Sequence, residues 1–171
     1  MPVTRKTWKY GWKRDLPDHR DFKLKLKLKP DDIYSSDLRG QMPAVYDQGQ
    51  TSSCTGNAIA AAIEYERKIK GLSDFIPSRL FIYYNERFIE NTIDDPDAGA
   101  EIRDGIKSVA SDGACMEATW PFDESKVTVK PSDIAYTEAK KDLIKIYARV
   151  DQNLYDIASA LTQQNPVVFG I

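Results

Sequence analysis

The sequence lacks the features that mark most secreted and membrane proteins. It has only two cysteines in 171 residues, and it contains no Asn-x-Ser/Thr glycosylation acceptor. No apolar run approaches the roughly 20 residues of a transmembrane helix, and the first ten residues lack the apolar core of a signal peptide. Two cysteines without a framework spacing favour a reducing compartment. We therefore predict an intracellular, cytoplasmic protein that makes no contact with a membrane.

An excess of charge of one sign is also missing. The chain has 24 Lys and Arg residues against 26 Asp and Glu residues, a net charge of −2, and this balance does not indicate a nucleic-acid partner. The acidic loop at positions 94–99 lacks the alternating ligands and the distal Glu of an EF-hand. We expect neither a metal nor a cofactor. With 42% apolar residues, the chain is expected to form one globular domain or one lobe of a two-lobed protein.

The most informative stretch runs from Tyr46 to Glu66. A polar, turn-rich part at 47–53 leads directly into an Ala/Ile-rich run without Gly or Pro after Gly56. This pattern predicts a loop entering a helix, with Ser52 or Ser53 as the N-cap. The residues expected on the buried face are Ile59, Ala62 and Ile63.

Cys54 would lie in the first turn of that helix. Unpaired backbone N–H groups and the positive end of the helix dipole favour a thiolate there, and the thiolate is the nucleophilic form of cysteine. Gln48, six residues upstream, can donate an amide N–H beside the backbone N–H of Cys54. Such a pair of donors is what the tetrahedral oxyanion of acyl transfer requires.

The segment DQGQTSSCTGNA resembles the active-site segment of papain-like (cathepsin-type) cysteine peptidases. The resemblance implies that Cys54 is the nucleophile and Gln48 the oxyanion-hole glutamine. Thr51, Ser52 and Thr55 depart from the usual family signature. These changes resemble the divergent bacterial and viral branch of the family.

A second resemblance follows further along the chain. Gly113 and the triplet Trp120-Pro121-Phe122 are similar to a Gly followed by a Tyr-Pro-Tyr-like triplet in that family. By spacing, Gly99 and Ala100 fall where the family pairs its backbone with the substrate chain. The resemblance therefore implies a peptide or protein substrate that binds by β-augmentation at this edge.

The beginning of the mature papain-like domain is also recognisable. Asp37-Leu38-Arg39 followed by Met42-Pro43 resembles it, so we predict a propeptide-type N-terminal extension at 1–36 and a peptidase domain at 37–171. Whether the extension is cleaved, blocks the groove or braces the fold stays open.

The remaining patterns predict an α+β fold. Phe22 to Lys29 alternates apolar residues with Lys, which predicts a strand with Phe22 inward and a solvated lysine face. Further helices are expected at 78–89, 102–110 and 151–164, and strands at 143–150 and 166–171, the last one buried. Phe81, Tyr83 and Tyr84 are predicted core aromatics, Leu154 is expected on the inner face of its helix, and Cys115 is expected to be a buried, inert thiol.

The base that such a cysteine needs is not evident. In papain-type enzymes the catalytic His and Asn follow the cysteine by roughly 130–150 residues, whereas the single histidine, His19, lies upstream in a charged turn. We therefore expect a C-terminally incomplete papain-like domain, comprising the helical left lobe and the first strand of the right lobe. This chain alone is predicted to be inactive, and to need a second chain for the missing lobe or to self-associate.

Three functions remain open at this stage. The first is a cysteine endopeptidase whose parent protein supplies the His. The second is a catalytically inactive papain-like lobe that binds a peptide or a protein, which the missing base and Thr55 favour. The third is a transglutaminase or acyltransferase that uses the same cysteine chemistry.

Overall fold

The computed structural model describes residues 11–24, 35–72, 75–96, 98–141 and 147–171. This part of the chain is mainly helical and carries one small sheet of two parallel strands, consistent with the expected α+β class. The elements are β1 (Trp12–Lys13), α1 (Cys54–Ile69), α2 (Arg79–Ile89), β2 (Ala100–Glu101), α3 (Ile102–Asp112), a 3₁₀ turn (Glu124–Lys126), α4 (Asp133–Ala139) and α5 (Leu154–Thr162). Among the described residues, no helix has the length and apolar character needed to cross a membrane.

Helix α1 begins at the predicted residue. Ser53 is its N-cap, although its side chain makes no capping hydrogen bond, and Cys54 is the first helical residue. Ile59 is buried as predicted, whereas Ala62 and Ile63 are only half-buried. Arg67 and Lys68 occupy the last turn, where positive charge complements the helix dipole.

Among the described residues, helix α2 supplies half of the largest fully buried side chains. Its N-cap is Ser78, whose Oγ accepts a hydrogen bond from the backbone N–H of Phe81. Phe81, Tyr83 and Tyr84 are buried, which confirms the predicted core aromatics. Helices α1 and α3 both pack against α2, so α2 is the central element of the helical core.

The strands predicted at 22–29 and 143–150 agree less closely with the structure than the predicted helices do. Most of 22–29 and much of 143–150 lie outside the described residues, and in their described parts only a single bridge joins Lys23 to Arg149. Phe22 was predicted to face inward, but its side chain is 75% exposed. Its backbone carbonyl accepts from the N–H of Arg149, and no described element packs over its ring, so the prediction was wrong.

The C-terminal segment also differs from the expectation. Residues 166–171 pair with no strand in the part of the chain that the structure describes. Val168 packs against the core, but Phe169 and Ile171 are 73% and 90% exposed, so the segment is not a buried strand. Leu154, predicted on an inner face, is the first residue of α5 and is 85% exposed.

The N-terminal segment 11–24 is held against α3. The carboxylate of Asp21 accepts from Arg103 at 2.7 Å and from Arg149 at 3.0 Å. The carboxylate of Asp15 accepts from the backbone N–H of Arg103. These charge-assisted hydrogen bonds join residues that are 82, 88 and 128 positions apart in sequence.

We predict that Asp21→Asn loosens this segment. Hydrogen bonding to Arg103, and then to Arg149, lowers the pKa of Asp21, so its stabilising effect is present above the ordinary Asp pKa and is lost as pH falls through the lowered value. We expect proteolysis within 11–24 to be faster at pH 3 than at pH 5. Asp21→Asn should raise the pH 5 rate by about fivefold, equivalent to about 1 kcal/mol.

Asp18→Asn is the matched control. Hydrogen bonds from neighbouring Arg20 lower the pKa of Asp18 as well, but this pair is local and bridges no second element. Equal cleavage rates in wild type and Asp21→Asn at pH 5 would contradict the prediction.

Candidate active site

Cys54 opens onto an apolar cavity. Its thiol is free and half-buried, and it lines a cavity of about 180 Å³. The other lining residues are Trp12 of β1, Thr55 and Ala58 of α1, Ile102 of α3 and the C-terminal residues 168–171. The helix start therefore presents the thiol to a pocket that can hold an apolar side chain.

The environment of the thiol differs from the expectation for a helix start. Burial is the main effect and raises the pKa of Cys54, and the nearby charge of Glu86 raises it further. A backbone hydrogen bond from Gly11 acts in the opposite direction. In this conformation desolvation outweighs the favourable helix terminus, and the thiol is held in its protonated form.

Gln48 lies in a tight turn that leads into α1. Its Nε2 donates to the carbonyl of Thr51 at 2.8 Å, and the Thr51 hydroxyl donates back to the Gln48 carbonyl at 2.9 Å. Gly49 has a φ of 58°, a left-handed conformation that suits glycine. The carboxylate of Glu124 accepts from the backbone N–H of Gln50 at 3.0 Å, which closes the turn from outside.

Arg79, which the sequence analysis did not single out, ties this turn to the helices. Its Nη1 donates to the carbonyl of Asp47 at 3.0 Å and to Oδ1 of Asn57 at 3.2 Å, while its Nη2 pairs with Glu117 at 3.0 Å. The guanidinium also lies over the rings of Tyr46 and Phe122, with its carbon 4.9 Å and 4.3 Å from the two ring centroids. The sequence does not indicate this role, because an arginine at the first position of a helix is not by itself a sign that it connects two parts of a site.

Two further polar side chains fix the first turn of α1. The hydroxyl of Thr55 donates to Oε1 of Glu86, and Asn57 donates to the carbonyl and the hydroxyl of Ser53. Glu86 is fully buried. No pattern in the sequence singles it out.

The predicted substrate edge at Gly99 and Ala100 is occupied by the N-terminal segment. The N–H of Ala100 donates to the carbonyl of Gly11 at 2.8 Å, and β1 pairs in parallel with β2, with Trp12 opposite Ala100. A Cβ on Gly11 would overlap the carbonyl of Ser52, and one on Gly99 would overlap the carbonyl of Gly11. The structure thus brings Gly11, Cys54 and this edge together.

The other two candidates lie elsewhere. His19 is exposed and lines a separate open cavity with Asp21 and Arg149, not the cavity at Cys54. Cys115 is fully buried, and burial raises the pKa of its thiol to about 12. The prediction that Cys115 is a buried thiol is confirmed.

No protein-family model matches the chain. It is 41% identical to the uncharacterized peptidase C1-like protein L477 of Acanthamoeba polyphaga mimivirus, and the match covers 94% of this chain and 60% of that protein. The chain therefore spans well under the full length of this curated relative.

Solved structures agree with this relationship. Xylellain, a cysteine protease from Xylella fastidiosa, superimposes with a TM-score of 0.82 at 38% identity, over 93% of this chain and 65% of xylellain. A digestive procathepsin L 3 from the Tenebrio molitor larval midgut superimposes with a TM-score of 0.66 over 84% of this chain and 46% of that protein. At 15% identity, the latter shows the fold alone. The superpositions and the sequence identities together show that this chain has the papain-like fold and is similar to papain-like cysteine peptidases, with Cys54 at the start of α1.

Proposed function

We propose that this chain is the nucleophile-bearing part of a cysteine endopeptidase. The observation that carries the proposal is the free thiol of Cys54 at the start of α1, which faces a cavity and directly follows the Gln48 turn. The Cys54 thiolate would attack a peptide carbonyl, and Gln48 would donate to the oxyanion. The C–N bond then breaks, the amine leaves with a proton, and water hydrolyses the thioester to release the acid and restore the thiol.

The base in this scheme would come from outside residues 1–171. His19 lines a different cavity from Cys54, and the chain spans 60% of the mimivirus protein and 65% of xylellain. We therefore propose that a further lobe supplies the His, and that the chain by itself does not turn over peptides.

We also propose that residues 11–13, within the predicted extension, occupy the site of the substrate. In support, the carbonyl of Gly11 accepts a hydrogen bond from the N–H of Ala100, and a backbone hydrogen bond from Gly11 reaches the Cys54 thiol. Trp12 lines the cavity. An extended peptide that displaced this strand could make the same main-chain hydrogen bonds at Gly99 and Ala100.

A peptide-binding module without catalysis is the second candidate. It is favoured by the raised pKa of Cys54, because a protonated thiol is a poor nucleophile. The two candidates differ in whether Cys54 becomes reactive once a base is present.

We predict that Cys54 becomes a fast nucleophile only with the second lobe. The test compares labelling by a dipeptidyl vinyl sulfone in this chain and in a fusion that extends it through the C-terminal part of xylellain. We expect the fusion to label at Cys54 faster by about 100-fold or more, the contribution of a positioned base. Cys54→Ala should abolish labelling, whereas His19→Ala should not change it. Equal rates in chain and fusion would favour the binding module.

We predict that Gly11→Ala exposes Cys54. The added methyl group would overlap the Ser52 carbonyl, and overpacking of this kind costs about 1–3 kcal/mol, so the strand should detach. Alkylation of Cys54 by iodoacetamide, followed by mass spectrometry, should become about tenfold faster. Gly40→Ala is the control because a Cβ there meets nothing within 4 Å. Unchanged alkylation in Gly11→Ala would refute the proposed role of the extension.

We predict that the chain associates through its exposed C-terminal apolar side chains. Leu154, Phe169 and Ile171 are 85%, 73% and 90% exposed, and apolar side chains left in water favour association. Sedimentation velocity should show oligomers that Phe169→Glu weakens. Ile134→Glu, an equally exposed position on α4, should have little effect. A monodisperse monomer at all concentrations would contradict this expectation.

A further inference from the structure

Glu86 is a buried carboxyl group that forms no salt bridge with any residue that the structure describes. It lies on α2, where its side chain faces α1 and α3 and is completely shielded from water. Its Oε1 accepts from the Thr55 hydroxyl. Its Oε2 has no hydrogen-bond partner among the described residues and sits where a side chain on Gly105 would be.

The charges near this carboxyl do not neutralise it. The charge of Arg87, the next residue, lowers the pKa of Glu86, but its guanidinium donates to the carbonyls of Asp95 and Val127 and stacks on the ring of Tyr83. The other charges that Glu86 senses, Glu90 on α2 and Asp104 on α3, are acidic and oppose its ionisation. Glu90 itself is paired with Lys13 of β1.

A carboxylate with one unpaired oxygen in such a place is costly, so the neutral acid is favoured. Burial raises the pKa of Glu86 to about 8, partly offset by the hydrogen bond from Thr55. The group can therefore gain or lose its charge near neutral to mildly alkaline pH.

This carboxyl contacts α1 at the residue next to Cys54. Thr55 follows Cys54 in the first turn, so the hydrogen bond to Glu86 fixes the residue adjacent to the thiol. A negative charge on Glu86 opposes a negative charge on Cys54. Glu86 is thus close enough to influence both the position and the ionisation of the thiol.

We propose that Glu86 is a positioning residue for Cys54, which in its neutral acid form holds Thr55 and leaves the thiolate unopposed, and in its ionised form suppresses the thiolate. The proposal rests on the proposed function only in taking Cys54 as the nucleophile. Its predictions concern the two titrations and do not require peptide cleavage.

The test follows both groups by NMR in the 171-residue chain, using ¹³C-labelled glutamate and cysteine. In wild type, the Cδ of Glu86 should titrate well above an ordinary Glu, and the Cβ of Cys54 should titrate at a higher pH than in Glu86→Gln, by at least ~0.5 pH unit. Gln keeps the acceptor for Thr55 but never ionises. Glu66→Gln, which removes a charge near the other end of α1, should leave the Cys54 curve unchanged.

A second pair of variants covers the case in which Glu86→Gln does not fold. Thr55→Val removes the donor and should raise the pKa of Glu86 further, whereas Thr55→Ser should restore it. Coincident Cys54 curves in wild type and Glu86→Gln, or a Glu86 that titrates with the surface glutamates, would overturn the proposal. A fusion that fails to cleave peptides would affect only the proposed function.

Discussion

The start of α1 is buried, and the rest of the structure depends on how its polar groups are satisfied. Between Thr51 and Asn57 every residue is buried except Cys54, which is half-buried. A helix start cannot draw on water in such a place, so its free N–H groups and polar side chains need partners inside the protein. Those partners come from the Gln48 turn and from α2, chiefly Arg79 and Glu86. Cys54 is therefore positioned by packing of polar groups and not by the helix alone.

The need for partners inside the protein explains why polar side chains of α2 are buried as well as apolar ones. Asn85, Glu86 and Arg87 are almost completely shielded, although a two-sided amphipathic pattern would expose them. Each has a specific partner: Asn85 donates to the carbonyl of Phe81, Glu86 accepts from Thr55, and Arg87 donates to main-chain carbonyls. The helix is covered on several sides, and its polar side chains link the elements around it.

The sequence predicted what depends on local chemistry. The polar turn before an Ala/Ile run located the start of α1, Ser78 located the start of α2, and the aromatic spacing located the core residues. It did not predict the pairing of β1 with β2, because two-residue strands have no periodicity and their residues are 88 positions apart. Nor could it predict Glu86, since only the packing of three helices decides that this carboxyl is buried.

The close approach of two glycines links occupation of the Ala100 edge to the ionisation of the Cys54 thiol. Gly11 and Gly99 allow the main chain of the N-terminal segment to reach the Ala100 edge and the Cys54 thiol together. The same segment shields the thiol from water, and burial is the largest factor that raises the pKa of Cys54. Its Gly11 N–H meanwhile stabilises negative charge on the sulfur. Any chain that replaced β1 would change both effects at once, so occupation of the Ala100 edge and the pKa of Cys54 are physically coupled.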